Sequence, residues 1–513
     1  MTRRIIEHLL FSALAEKGIN DLRSIKIDVS PRLEFGDYAT NAAIVTAKKL
    51  SIDPLQLAEE LTSLLKKAEV FERVEIAKPG FINFFLKADF IHSEIKNILK
   101  ADTTWGETKR GNGQKILLEY VSANPTGPLH VGHGRWAVIG DIIARALKAA
   151  GYQVETEFYV NNIGNQVEKL TESVNAARAG QEPPENGYGG SYIKDVEGNS
   201  TEEMLEFILA GQKKVMSQVG VNFDRFFFES ELHAKDKVRY AIDKLTKKGK
   251  TFEEGGAIWF KSQEIGDDKN RVLVRENGVP TYFAADIAYH LDKFERGYDR
   301  LINIWGTDHH GYINRLKGAL KALDLPVEKF EIIIGQLVTL YRGDEPVRMS
   351  KRTGEMVTLE EVIEEIGADA TRFFFAATDV NSHLDFDLEL AKKQSNDNPV
   401  FYVQYAHARI CSILGKSTDQ KLQTTDLTTL THPAERELML KLLSFPDVVE
   451  SAAQLRHPQR LTEYGKELAT VFHHFYEKCR VLGNPARLVL VDTTRITLRN
   501  VLNLLGVSAP DKM

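Results

Sequence analysis

The stretch from Ile116 to Asp141, ILLEYVSANPTGPLHVGHGRWAVIGD, constrains this chain more than any other. Ile116, Leu117 and Leu118 make a short apolar run of the kind that forms a buried strand. Asn124-Pro125-Thr126-Gly127-Pro128 then forbids helix or central strand, because two prolines remove backbone donors and fix φ. After His130-Val131-Gly132-His133, the residues Ile139, Ile142, Ile143, Ala146 and Leu147 recur on one face of a helix. Two histidines are therefore predicted at the N-terminus of a helix that follows a parallel-type strand. Helix N-termini attract anions, since unpaired N–H groups and the macrodipole both point there. Gly132 leaves room for a ligand where a Cβ would collide. The pattern predicts a phosphate site in a nucleotide-binding α/β fold.

The rest of the composition sets limits. At roughly 150 residues per domain, a chain of 513 residues suggests about three domains. No apolar segment approaches the ~20 residues of a membrane helix, so no membrane partner is expected. The opening MTRRIIEHLLFSALAEKG is interrupted by Glu7 and Glu16 at helical spacing and reads as an amphipathic helix, not a signal peptide. The only cysteines, Cys411 and Cys479, have no metal-ligand spacing around them, which fits a reducing compartment and no metal site; a cytoplasmic location is expected. A net charge of −6 gives no compositional support for a nucleic-acid partner, so any RNA surface must be local.

Taken in order, residues 1–105 read as an α+β unit. Helical patterns cover Ile5–Lys17 and Leu57–Leu65, the second with Asp53 at the N-cap and Pro54 at N1. Strands are predicted at Ile25–Val29, Val74–Ile76 and Phe81–Leu86, with Glu34–Asn41 joining strand to helix. Past the signature helix, Thr156–Val160 reads as a strand, residues 176–200 as an exposed excursion, and two helices are expected before Gly220. Arg271–Arg275 and Leu301–Trp305 read as strands; Tyr282 and Asp286 lie one helical turn apart and can share a pocket. Gly306-Thr307-Asp308-His309-His310 follows a strand's carboxyl end, where doubly wound sheets bind ligands, and the paired histidines lack a third metal ligand. Arg348–Gly354, behind a strand at Phe330–Ile334, places Lys351 on a loop able to close on phosphates. From about residue 396 the pattern is helical, with Leu461, Tyr464, Leu468, Phe472 and Phe475 on one core stripe.

The string from Glu119 through Ser122, Asn124 and Pro125 to His130, Gly132 and His133 resembles the HIGH signature of class I aminoacyl-tRNA synthetases. In its full length it is similar to that of the arginyl-tRNA synthetases. Met349-Ser350-Lys351 resembles the family's KMSKS loop, GDYATN with PGFINFF its N-terminal extension, and Asn398–Arg409 its helical anticodon-binding domain. The resemblance implies a class I α/β fold: a Rossmann-type doubly wound parallel sheet, an N-terminal α+β domain and a C-terminal all-α bundle. It implies a tRNA-contacting domain at 1–105, a catalytic domain at 106–345 with an insertion at about 160–280, a KMSKS connector at 346–395 and an anticodon-binding domain at 396–513. Phe226 stands where the family usually has tryptophan.

The implied reaction activates L-arginine with ATP and Mg²⁺ and transfers it to tRNA(Arg), by a monomer that generally needs tRNA before it activates arginine. His130, His133 and Lys351 take the catalytic roles. ATP binding falls to His130, Gly132, His133, Gly306, Asp308, Met349, Ser350 and Lys351. Arginine binding falls to Glu119, Ser122, Asn124, Tyr282, Asp286 and His309, because a planar guanidinium pairs best with a carboxylate. Tyr402, Tyr405, Arg409 and Met513 would contact tRNA, with aromatics stacking on splayed bases. A synthetase for another amino acid and a non-catalytic RNA-binding paralogue remain as alternatives; intact His130, Gly132, His133, Ser350 and Lys351 argue against the second.

Overall fold

Ile116–Leu118 lie in a strand, β1 (Lys115–Glu119), at the middle of a five-stranded sheet. The computed structural model describes residues 2–20, 24–30, 32–347, 357–417 and 425–513. The other strands are β2 (Gln153–Val160), β3 (Arg225–Phe228), β4 (Arg300–Gly306) and β5 (Phe330–Gly335). All pair in parallel, in the spatial order β5-β4-β1-β2-β3. The chain winds outward from β1 to β3, then crosses back to begin β4 on the other side. Between β1 and β4 the connections diverge, which opens a crevice at the carboxyl ends of the strands. This is the doubly wound parallel sheet that the sequence led us to expect.

Helix α1 (Val131–Ala149) carries the predicted apolar face, and Ile139, Ile142, Ile143, Ala146 and Leu147 are all buried. Glycines let it sit unusually close to its neighbours. A Cβ on Gly140 would lie 2.3 Å from the Tyr120 ring, and one on Gly134 would lie 2.4 Å from Leu359. Helix α2 (Asn165–Arg178) follows β2, and one helix, α3 (Thr201–Gln218), stands where two were expected, opened by a Ser200–Glu203 capping box. The excursion between them is mostly loop, yet it docks: Tyr192 Oη donates to Thr126 O (2.9 Å), and Ile193 and Val196 are buried.

The interval at about 160–280 is only partly an insertion, because its Arg225–Phe228 forms the edge strand β3. Four residues without alternation give period-based reading nothing to detect. Beyond β3 comes an antiparallel sheet of Thr251–Glu254, Ala257–Phe260 and Arg271–Val274, then helix α4 (Tyr282–Glu295).

The N-terminal unit is a four-stranded antiparallel sheet, in the order Ile27–Val29, Tyr38–Thr40, Phe81–Leu86, Phe71–Ala77, packed with helices. Asp53 caps its helix as expected, accepting from Leu55 N at 2.8 Å. The segment 34–41 holds a short strand, not only a joint. Its buried Asp37 accepts Leu86 N and pairs with Arg436 of the C-terminal helices at 2.6 Å. Asp37 therefore fastens one end of the chain to the other.

Helix α5 (Leu359–Ala376) runs from the parallel sheet to the helical domain and is broken at Gly367, where φ is 80°. Past it lie α6 (Pro399–Leu414), α7 (Pro433–Leu443), α8 (Phe445–Leu455), α9 (Gln459–Lys478) and α10 (Pro485–Leu505). The stripe Leu461, Tyr464, Leu468, Phe472 and Phe475 is buried along α9 as predicted.

One buried junction joins these parts. Arg372 of α5 donates to Asp141 of α1 (2.5 Å), Val219 O (2.6 Å) and Leu505 O (2.6 Å). Arg145 shares Asp141 and reaches Gly220 O and Asn503 O. Two guanidiniums thus satisfy the carboxyl ends of α3 and α10, where orphan carbonyls and the helix dipoles favour cations.

Gly140→Ala tests the close approach of α1. Alanine is the better helix former, so an exposed site would gain stability. Here overpacking against Tyr120 should instead cost about 1–3 kcal/mol and lower the thermal midpoint. An unchanged or raised midpoint in a thermal melt contradicts the packing.

Candidate functional site

The crevice between β1 and β4 widens into a cavity of about 850 Å³. Glu119, Ser122, Asn124, His130, Gly132, His133, Tyr282, Asp286 and Gly306 all line it. Sequence distances of up to 187 residues are thereby closed, between Glu119 on β1 and Gly306 on β4. Arg348–Gly354, with Met349, Ser350 and Lys351, lies outside the described residues. For Asp308 and His309 the backbone is described, in a 3₁₀ turn Thr307–Tyr312 directly after β4.

One end of the cavity is built by the start of α1. His130 is the N-cap, and its Nδ1 accepts from Gly132 N (3.0 Å) and His133 N (3.3 Å). A nitrogen that accepts two N–H groups carries no proton, so the ring is neutral with its proton on Nε2. Helix-start N–H groups expected to meet a ligand are therefore taken by the protein itself; the anion-attracting parts that remain are the dipole and the imidazoles. Gly132 has a matching reason: a Cβ there would meet the His130 ring at 2.9 Å, so the glycine makes room for the cap. The rings of His130 and His133 stack at 3.6 Å between centroids, with Trp136 edge-on to both. Leu337, Val338, Thr339 and His383 complete this end. Val357 and Thr358 lie beside it, since Val131 N donates to Val357 O (3.4 Å) and His130 bridges Thr358.

The opposite end is acidic. Asp286, one turn after Tyr282 on α4, accepts from Tyr312 Oη at 2.6 Å. Glu229, at the carboxyl end of β3, faces the same space and is buried. Asn161 is oriented so that its nitrogen donates to Glu229 Oε2 at 3.0 Å. Burial pushes the Glu229 carboxyl up to about 7, and Asp286 pushes in the same direction against the hydrogen bond from Tyr159. Tyr159 and Tyr312 are held far above the ordinary phenol range, first by burial and then by these carboxylates, so both are neutral donors. Two carboxylates crowded into one recess, ringed by neutral donors, make a site for a cation with several N–H groups. Helical spacing with Tyr282 points to Asp286, whereas nothing in the sequence pattern points to Glu229, which lines the same cavity. The available signal was an acidic residue at the end of a strand, and that strand was itself unrecognised.

Glu119 forms the floor. Its Oε2 accepts from the fully buried Lys293, from Asn303 Nδ2 (3.0 Å) and from Tyr289 Oη (3.1 Å). Its Oε1 accepts from Ser122 Oγ at 2.9 Å, and Ser122 in turn accepts Tyr159 N at 3.1 Å. Glu119 is thus neutralised from below, and Ser122 ties β1 to β2. Val121 and Ser122 hold left-handed backbone angles, φ 68° and 42°, which a β-branched residue adopts only when its surroundings enforce it. His290 shares the layer. Burial presses its pKa down to about 3, with Lys293 adding to the shift, so it is a neutral hydrogen-bonding post for the Asp286 carbonyl (2.9 Å).

A second cluster lies on the helical domain. Tyr402 and Tyr405 of α6 flank His473 of α9, and Phe401 stacks parallel to Tyr405. Tyr405 is 38% exposed and Met513 55%, while Arg409 lies 4.7 Å from the Tyr476 ring centre. The C-terminal tail is clasped to α6: Gln404 Nε2 donates to Ser508 O, and Cys411 Sγ donates to Asp511. Burial and then Asp511 push the Cys411 thiol up to about 11, so this cysteine is a protonated donor in a clasp.

Three family models match stretches of this chain. The "Arginyl tRNA synthetase N terminal domain" matches residues 4–86, and "tRNA synthetases class I (R), catalytic domain" matches 94–186 and 187–383. The "DALR anticodon binding domain" matches 403–513. An arginine–tRNA ligase of Heliobacterium modesticaldum is 43% identical, covering 97% of this chain and 95% of its own. One of Moorella thermoacetica is 45% identical, covering 98% and 96%. The arginyl-tRNA synthetase structure of Thermus thermophilus superposes over 100% of both chains with a TM-score of 0.81; at 24% identity it bears on the fold alone.

The cap predicts a pair of outcomes. His130→Ala should destabilise the protein by about 1 kcal/mol, the usual cost of losing an N-cap. His130→Asn, a good N-cap residue, should restore most of that. Denaturant melts that rank alanine and asparagine equally contradict the capping role.

Proposed function

The chain belongs to the arginyl-tRNA synthetase family, and on that premise we propose that its central cavity is where L-arginine and ATP meet. The reaction is that of an arginine–tRNA ligase. The arginine carboxylate attacks the α-phosphorus of ATP, the P–O bond to pyrophosphate breaks, and arginyl-adenylate forms. A hydroxyl of the terminal ribose of tRNA(Arg) then attacks the adenylate carbonyl, gives up its proton, and AMP leaves.

One observation carries the assignment of the two ends: the Glu229–Asp286 pair at one and the histidine-capped start of α1 at the other. At the acidic end the guanidinium lies between Asp286 and Glu229, with Tyr282 and Asn124 along the side chain. Glu119 and Ser122 belong to the same end, where the Lys293 pairing makes them part of its floor. His309 is assigned there on family resemblance. At the other end His130, Gly132 and His133 face the ATP phosphates, with Gly306 and Asp308 toward the ribose. A donor fixed in place by a helix cap needs no reorganisation when charge moves onto the phosphates. Met349, Ser350 and above all Lys351 are assigned to the departing pyrophosphate. What supports this is the position of the flanking residues, Val357 and Thr358, against the start of α1. Mg²⁺ supplies charge neutralisation on the phosphates when bound with ATP. The ion is expected to arrive with the nucleotide.

We assign tRNA contacts to Tyr402, Tyr405, Arg409 and Met513, where an exposed tyrosine, a half-buried one and a cation offer stacking and phosphate contacts. We divide the chain into a tRNA-contacting unit (1–105), a catalytic domain (106–345), the KMSKS connector (346–395) and an anticodon-binding domain (396–513). Among the described residues no helix is long and apolar enough to cross a membrane. The enzyme is proposed to act as a monomer in the cytoplasm.

Charging of tRNA(Arg) with radiolabelled arginine tests the whole reading. Asp286→Asn and Glu229→Gln should each raise the Michaelis constant for arginine by about 10²-fold or more while leaving that for ATP nearly unchanged, since each removes a buried charge from the guanidinium. Equal effects on both constants would place the arginine pocket elsewhere.

A further inference from the structure

Arg135 is the fifth residue of α1 and fully buried. Among the described residues no carboxylate forms a hydrogen bond with it. Its Nη1 donates to Gln336 O (3.3 Å), Leu337 O (3.4 Å) and Ser382 O (2.9 Å). Its Nη2 donates to Asp379 O (2.9 Å) and Thr378 O (3.5 Å). Five carbonyls from two separate segments thus converge on one guanidinium. Burial lowers its pKa to about 10, which leaves it charged at neutral pH. The nearby Asp379 carboxylate is turned to other partners, Asn381 N and Gln459 Nε2.

Burying a guanidinium is a poor way to gain stability, because a well-packed hydrophobe of similar volume avoids the desolvation cost. What a guanidinium supplies instead is geometry, since its planar fork fixes several acceptors relative to one another. Here the acceptors belong to the segment leaving β5 and to the loop after α5. Those segments also meet each other directly: Gln336 N donates to Val380 O (3.1 Å) and Leu384 N to Leu337 O (3.2 Å). Their next residues, Leu337 to Thr339 and His383, form the wall of the cavity's histidine end. Thr339 and His383 are joined across it at 2.8 Å. Arg135 is anchored in the helix whose first turn presents His130 and His133, so it locks that wall to the histidines.

We propose that Arg135 is a positioning residue for ATP, setting the distance between the imidazoles of α1 and the wall formed by Leu337–Thr339 and His383. The proposal rests on the assignment of ATP to the histidine end. Lysine at this position keeps the charge but loses the planar fork, so it should hold fewer of the five carbonyls. Methionine removes charge and fork together.

The test uses the full-length enzyme in tRNA charging, with ATP and arginine varied separately, beside a direct titration of a non-hydrolysable ATP analogue. Arg135→Met should raise the Michaelis constant for ATP by about tenfold or more, the scale of a misplaced binding wall, with the constant for arginine changed by less than about twofold. Arg135→Lys should fall between the wild type and methionine, and analogue affinity should weaken in the same order. Should the methionine variant not fold, the lysine variant alone decides. Loss of thermal stability with an unchanged constant for ATP, or equal changes for both substrates, would make Arg135 merely structural and overturn the proposal. The wild-type control separates this from the functional reading. If unmodified enzyme charges arginine and the variants keep their ATP constant, only the proposal fails. If unmodified enzyme does not charge arginine, the assignment of the cavity fails with it.

Discussion

Helix α1 can take up its position only because side chains are missing along it. Gly140 lies under the Tyr120 ring, Gly134 under Leu359, and Gly335 at the end of β5 under the Trp136 indole. Close approach of this kind leaves no slack: interiors at crystal-like density transmit displacement instead of absorbing it. Three consequences follow from that one packing arrangement. The first turn of α1 is delivered to the carboxyl edge of the sheet, where His130 caps it. Arg135 reaches the segments that leave β5 and α5. Asp141 meets Arg372 and Arg145, through which the catalytic sheet is joined to the carboxyl ends of α3 and α10.

The cavity above the sheet is polarised along its length. At the α1 end the groups are imidazoles, glycines and an apolar wall. At the α4 end are two carboxylates, two neutral tyrosines and an amide. Between them the floor holds its charges in pairs, Glu119 with Lys293 and Glu157 with Arg296. Buried pairs of this kind contribute little net stability, but each silences a charge that would otherwise compete for the substrates. The floor thus leaves Asp286 and Glu229 as the carboxylates directed at a cation. A chemically asymmetric cavity of this kind orients a substrate that is cationic at one end and must bring its carboxylate to a phosphate at the other.

The sequence made legible the features that rest on local physics. The strand at Ile116, the α1 face, the Asp53 cap and the α9 stripe all follow from periodicity or capping chemistry within one segment. The pairing of Tyr282 with Asp286 was equally readable, since helical spacing alone puts both on one face. What escaped depends on partners far away in the chain. Arg225–Phe228 is a strand because β2 offers it an edge, and with that strand unseen, Glu229 could not be placed at its end. By sequence Gly132 reads as space for a ligand, whereas in the structure a Cβ there would also meet the His130 imidazole at 2.9 Å. Glu119 and Ser122 were read as substrate contacts; their hydrogen bonds to Lys293, Asn303 and Tyr159 lie 37 to 184 residues distant in the chain. Pattern alone singles out the motif residues, while the contacts that hold them around the cavity are tertiary.

The central claim is that a guanidinium binds between Asp286 and Glu229, and its most direct test is the proton that such binding must displace. Glu229 is held at about 7 when no cation is bound, and a guanidinium beside it favours the ionised form and lowers that value. Below the raised value the carboxyl is protonated and must lose its proton for arginine to bind; above it no proton is lost. Calorimetric titration of L-arginine in buffers of different ionisation enthalpy reads this directly. The account predicts release of about half a proton per arginine at pH 7, affinity that rises from pH 6 to 8, and loss of both effects in Glu229→Gln. Arginine binding with no proton release and no pH dependence over that range would contradict it.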